Sequence, residues 1–264
     1  MKWYLGIGLA VGAIALVGCA ATPPSPAAPR EARQASDNAD PDRRARVRLE
    51  LAGLYFARGQ ATTALDEVQQ ALAAKPDLPD AYSLLGLIYA SLGDPRRSED
   101  NFRRALDLNP RDADAMHNFG WVLCGQQRFA EADGLFVRAL AQTQYREVVR
   151  TLLAQGVCLA RAGRWGDAER TLSRSYELDP ANPVTAFNLS EVLLRRGELD
   201  RARFYVARIN AQPELSSAQT LWLAARIERR SGNVPALQDF GRQLTDRFPQ
   251  SPEALLFARG RFDE

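Results

Sequence analysis

Histidine and lysine are nearly missing from this chain of 264 residues: His117 is the one histidine, and Lys2 and Lys75 are the lysines. A multi-histidine metal site is excluded, and any Ser-His-Asp or Cys-His arrangement would have to use His117. The three cysteines, Cys19, Cys124 and Cys158, are too few for a cysteine-rich zinc fold. Net charge is also scarce. The balance of 34 basic and 32 acidic residues leaves +2, which implies neither a nucleic-acid stripe nor a funnel for acidic substrates. Hydrophobic residues at 46% and charged residues at 25% exclude a polytopic membrane protein and a mostly disordered chain. The sequence has no glycine-rich phosphate loop and no metal-ligand spacing. These absences point away from an enzyme, a cofactor, a nucleic acid and a small-molecule substrate.

What is present begins with an address. Residues 1–18 carry Lys2 and then an apolar run over 5–17, shorter than the roughly 20 residues that span a bilayer. The run ends in Leu16-Val17-Gly18-Cys19, which resembles a bacterial lipobox. That resemblance implies cleavage of the 1–18 signal peptide and acylation of Cys19, with palmitate among the chains. Two or three acyl chains anchor a protein stably where one does not. Ala20 stands where an aspartate would direct retention in the inner membrane, so the expected location is the periplasmic face of the outer membrane. The segment from Cys19 to residue 42 is rich in Pro, Ala and Ser and poor in large apolar side chains. It cannot offset its ordering entropy by burial and reads as a tether.

The remainder is periodic. Gly59, Gly93, Gly163 and Gly197 are spaced 34, 70 and 34 apart; Pro76, Pro110, Pro180 and Pro249 are spaced 34, 70 and 69. Leu85-Gly86, Tyr89, Gly93, Phe102, Ala105 and Pro110 form the best copy, and five others keep parts of it. The period resembles the tetratricopeptide repeat. Small residues at repeat positions 8 and 20 let two helices approach, glycine serves the turn between them, and proline ends the second helix. The expected fold is all-α: a right-handed superhelical solenoid of about six helix-turn-helix repeats over 43–250. A capping helix over 251–264 follows, begun by Ser251-Pro252 and covering the last repeat with Leu255, Leu256 and Phe257. The last repeat is aligned on Leu223-Ala224, which leaves Gly232 and Pro249 each one place late. The third repeat lacks its proline, and two residues are inserted before the fourth, at 143–147. A kink, a longer helix or a tolerated loop fits that joint.

First-helix positions 2, 5, 9, 12 and 13 line the groove in such folds. Here they hold Leu49, Phe56, Leu87, His117, Trp121, Leu153, Val157, Phe187 and Leu194, an apolar stripe that suits a protein partner. Arg46, Asp80, Asp114, Arg150, Glu191 and Arg195 fall at the same positions and could orient that partner. Cys124 and Cys158 occupy positions 12 and 10 of neighbouring first helices. Two positions are about 200° apart, so the side chains lie on opposite helix faces. Adjacent parallel helices show such faces to each other, and in an oxidising periplasm a Cys124–Cys158 disulfide is expected.

The run Asn118-Phe119-Gly120-Trp121-Val122-Leu123-Cys124, then Gln127-Arg128-Phe129, Glu131-Ala132 and Gly156-Val157-Cys158-Leu159, resembles the PilF/PilW family of type IV pilus biogenesis lipoproteins, or pilotins. The resemblance implies binding of the pilus secretin subunit and help with its outer-membrane localisation and multimerisation. The competing reading of the same features is a general periplasmic scaffold lipoprotein that recruits cell-wall or envelope enzymes.

Overall fold

Each repeat becomes two antiparallel helices because apolar and small residues recur at helical spacing, a left-handed turn separates the two helices, and N-capping side chains start several of them. The computed structural model describes residues 40–262, which hold thirteen helices and no strand. The lipobox, Cys19 and most of the tether lie outside the described residues. The helices pair as α1 (Pro41–Ala57) with α2 (Ala61–Ala74), α3 (Pro79–Ser91) with α4 (Pro95–Leu108), and α5 (Ala113–Gly125) with α6 (Phe129–Leu140). Then come α7 (Val148–Arg161) with α8 (Trp165–Leu178), α9 (Pro183–Arg196) with α10 (Leu199–Asn210), and α11 (Ala218–Ser231) with α12 (Val234–Arg247). The short α13 (Pro252–Ala258) closes the stack. From α3 onward, first helices pack on their own second helix and on the next first helix, which is the tetratricopeptide solenoid.

The close approach within a pair is visible at Gly86. A Cβ there would lie 2.6 Å from the ring of Phe102, which is fully buried. Gly120 faces Phe136 and Gly156 faces Leu172 in the same way. Where serine replaces a small apolar residue, it bonds across the gap: Ser98 Oγ donates to the Gly86 carbonyl at 2.7 Å, and Ser190 Oγ to the Ala202 carbonyl at 2.8 Å. A buried hydroxyl is tolerated only when so partnered. Phe102 also stacks on Phe119 of the next repeat at 5.0 Å, joining repeats two and three. Gly59, Gly93, Gly163 and Gly197 all take the left-handed backbone conformation, with φ of 74–82°. The third repeat puts Gln127 at that place with φ 62°, the one non-glycine residue there among the described residues.

Two joints between pairs are longer than the others, and both follow a second helix cut to 12 residues, α6 and α10. At 141–147 the joint is a turn and not a lengthened helix; Tyr145 Oη lies 2.6 Å from Thr151 Oγ1 and ties it to α7. The joint at 211–217 was not separated by sequence, and it corrects the register of the last repeat. Ser217 caps α11 as Asn182 caps α9, and Gly232 ends α11 at φ 76°. The sixth repeat therefore starts at Ala218, one residue later than the Leu223-Ala224 alignment, and Gly232 and Pro249 then fall in register. The buried Glu228 of α11 accepts from Arg203 of α10 at 2.6 Å and holds the two sides of this joint together.

Ser251 caps α13, accepting from Ala254 N at 3.1 Å. The helix ends at Ala258, short of the expected 264. Leu256 and Phe257 pack on the last repeat, but Leu255 is half exposed and points away, because its neighbours on the helix already face α12. Phe257 meets Gly241 as Phe102 meets Gly86, and Phe262 stacks on Trp222 at 5.1 Å.

Candidate partner-binding groove

The first helices carry the candidate site, and their positions 2, 5, 9, 12 and 13 divide it into three regions. At one end a cavity of about 330 Å³ is lined by Asp80, Asp112, Asp114, Leu84, Leu87 and Asn118 between α3 and α5. Burial, then the charges of Asp112 and Asp114, raise the Asp80 carboxyl above its usual value. Asp114 is also raised, chiefly by burial, with Arg150 opposing. In the middle, Trp121 is 41% exposed and the Arg161 guanidinium lies 5.3 Å from its ring centroid. Next to it a cavity of about 310 Å³ is lined by Val157, Ala160, Arg161, Trp165, Asn188, Glu191 and Arg195. At the far end a cavity of about 510 Å³ is lined by Leu194, Arg195, Arg226, Arg229, Arg230 and Phe262.

The stripe expected from sequence is thus only partly open. Trp121 and Val157 face the groove. Leu49 and Phe56 are half-buried against the core of the first two repeats, Leu87 against that of the third, and Leu153 and Phe187 against that of the fourth and fifth. Leu194 is buried. His117 corrects the reading most: it is 6% exposed and does not face a partner. The reason is α7, which lays Arg150 and Thr151 over it. Arg150 Nε donates to His117 Nε2 at 3.0 Å, so the ring proton sits on Nδ1 and is donated to Thr151 Oγ1 at 2.8 Å. Burial, then the Arg150 charge, lower His117 to about 4. The His117–Thr151 pair has the elements of a base and a hydroxyl, but Thr151 is fully buried and no substrate can reach it. The arrangement is a neutral structural joint.

Cys124 and Cys158 are buried and joined, with Cα atoms 5.8 Å apart, so that α5 and α7 are crosslinked behind Trp121. Arg150 also reaches Asn118 Oδ1 at 3.0 Å and Asp114 at 3.9 Å. The arginines of the last repeat, Arg226, Arg229 and Arg230, were missed by sequence. With Ala218 as position 1 they stand at positions 9, 12 and 13, the groove set; Gly232 was the signal that would have placed them. Among the described residues no group of His, Cys, Asp and Glu is arranged to hold a metal ion.

Comparison with known proteins agrees with this architecture. A TPR repeat model matches residues 53–93, and tetratricopeptide repeat models match 79–112, 117–183 and 159–221. The type IV pilus assembly protein PilF of Pseudomonas aeruginosa is 26% identical over 199 residues, covering 75% of this chain and 79% of that protein. The crystal structure of PilW, a widely conserved type IV pilus biogenesis factor, superposes with a TM-score of 0.75 at 29% identity, over 81% of this chain and 98% of that one. The Pseudomonas aeruginosa PilF structure gives 0.71 at 23% identity, over 84% and 99%, and speaks for the fold. The chain is a tetratricopeptide-repeat protein homologous to the type IV pilus assembly protein PilF.

Proposed function

We propose that this protein is an outer-membrane lipoprotein that acts as a pilotin: it binds the secretin subunit of a type IV pilus and promotes its localisation and multimerisation. The observation that carries the reading is likeness to PilF in sequence and to PilW in fold across most of the chain. The lipobox at Cys19 supplies an anchor, and a groove of helix faces with exposed Trp121 supplies a surface for a protein. A secretin subunit displays unpaired strand edges before its ring closes, and a tethered escort would cover them during delivery. The decisive experiment compares secretin multimers on a semi-native gel, in outer membranes from cells with and without this protein. Loss of multimers is expected on deletion; undiminished multimers reject the reading. Within the groove, Trp121→Glu leaves the core untouched, and capture of the secretin subunit is expected to fall at least tenfold.

A further inference from the structure

Charge is distributed unevenly along the groove although the whole chain is near neutral. The acidic cavity between α3 and α5 and the arginine cavity between α9 and α11 lie at opposite ends of the same helix face. The arginine cavity is the larger, and its side chains are not equally committed. Arg226 is held by Glu191 at 2.7 Å, and Arg230 donates to the Leu194 carbonyl at 2.9 Å. Arg229 lies 5.7 Å over the Phe262 ring. The Arg195 side chain is exposed and makes no hydrogen bond or ion pair among the described residues. Two guanidinium groups therefore remain with unmet donors beside an apolar wall of Leu194 and Phe262. Both guanidinium groups line the one cavity, and an anion that bridges them would meet the donors of each.

We propose that this cavity takes the carboxylates of an extended acidic segment of a protein partner, with Arg195 and Arg229 as the receiving groups and Phe262 packing the intervening side chain. The proposal rests on the protein-binding reading of the groove but not on which protein is bound. The arginine fork fits planar carboxylates in pairs. Helix-face positions 9, 12 and 13 continue from the Val157 cavity into the arginine cavity, with Arg195 lining both. One chain can therefore lie across both. The acidic cavity at the other end would repel the same carboxylates, so the segment binds in one register, its acidic part toward α11.

The test uses the purified full chain and a fluorescein-labelled, C-terminally amidated peptide of alternating glutamate and leucine, read by anisotropy. Matched peptides carry glutamine or lysine in place of glutamate. The acidic peptide is expected to bind at least tenfold more tightly than either and to weaken as salt rises. Arg195→Gln with Arg229→Gln is expected to remove at least nine-tenths of that affinity; Arg195→Gln alone gives a smaller loss in the same direction. Arg96→Gln with Arg138→Gln, which removes equal charge elsewhere, is expected to leave it unchanged. Equal binding of the glutamine peptide, or full affinity in the Arg195/Arg229 variant, overturns the proposal. Displacement by water-soluble short-chain phosphatidylglycerol at lower concentration than by unlabelled acidic peptide also overturns it, in favour of a phosphate headgroup. Secretin multimerisation is scored separately, so that an acidic-peptide site can stand or fall without the pilotin reading.

Discussion

Replacing Gln127 by glycine should stabilise the third repeat. An L-residue in the left-handed region costs roughly 1–2 kcal/mol, and Gln127 sits there at φ 62°. Its surroundings enforce the conformation: Arg128 N donates to the Leu123 carbonyl at 2.9 Å, and the Arg128 side chain reaches Glu99 at 2.7 Å. The turn is therefore expected to persist in the variant. Glycine gives back part of the gain, about 0.4–1 kcal/mol, through a more disordered unfolded chain. The net expectation is about 0.5–1 kcal/mol in favour of Gln127→Gly, or about 1–4 °C in Tm for a chain of this size. Gly93→Gln, the reverse change at the equivalent turn, should destabilise by a similar amount. Circular dichroism during denaturation reads both, and amide exchange across 123–128 localises the first, which matters because repeat arrays do not always unfold as one unit. If Gln127→Gly is neutral or harmful while Gly93→Gln costs nothing, the turn does not carry the strain argued here.

Other expectations follow from packing and charge. Gly86→Ala places a methyl against the Phe102 ring and should cost about 1–3 kcal/mol, with Phe102→Leu in the same chain recovering part of it by thermal melting. His117 is held below its unfolded value, at about 4 against 6.5, so the unfolded chain binds the extra proton. Stability should be complete above pH 6.5 and fall by at most about 3 kcal/mol as pH drops to 4. His117→Gln should flatten that slope; the raised carboxyl of neighbouring Asp114 acts in the opposite direction, so an unchanged slope would refute the assignment to His117. Thiol labelling of the denatured, unreduced protein should find Cys124 and Cys158 blocked, and reduction should lower stability by about 2–4 kcal/mol for a loop of this length; two reactive thiols would refute the crosslink.

The period, the paired helices and the turn at each glycine were legible because each repeat must bury the same stripe, and repetition makes a weak local signal strong. What failed was local. His117 stands at a nominally open position, yet Arg150 and Thr151 close over it, and only the way α7 leans on α5 determines that. The register of the sixth repeat slipped because Leu221, Leu223, Ala224 and Ala225 are all buried, so an apolar pair could be read in either of two frames. Gly232 resolves the frame, since its left-handed turn admits no neighbouring choice. The arginine cavity was hidden behind that slip. Leu49, Phe56, Leu153 and Phe187 occupy positions shared between groove and inter-repeat core, and one sequence does not divide the two.

The crosslink between Cys124 and Cys158 joins the third and fourth repeats beside the 141–147 turn that follows the short α6. Neighbouring repeats of a linear array are otherwise joined only by their shared packing, and here a covalent bond is added near the middle of the stack. With the bond in place, the third and fourth repeats cannot separate while either remains folded. The array is then expected to fray inward from its two ends, and a pull exerted between its first and last repeats would be shared at that point by a covalent side-chain link.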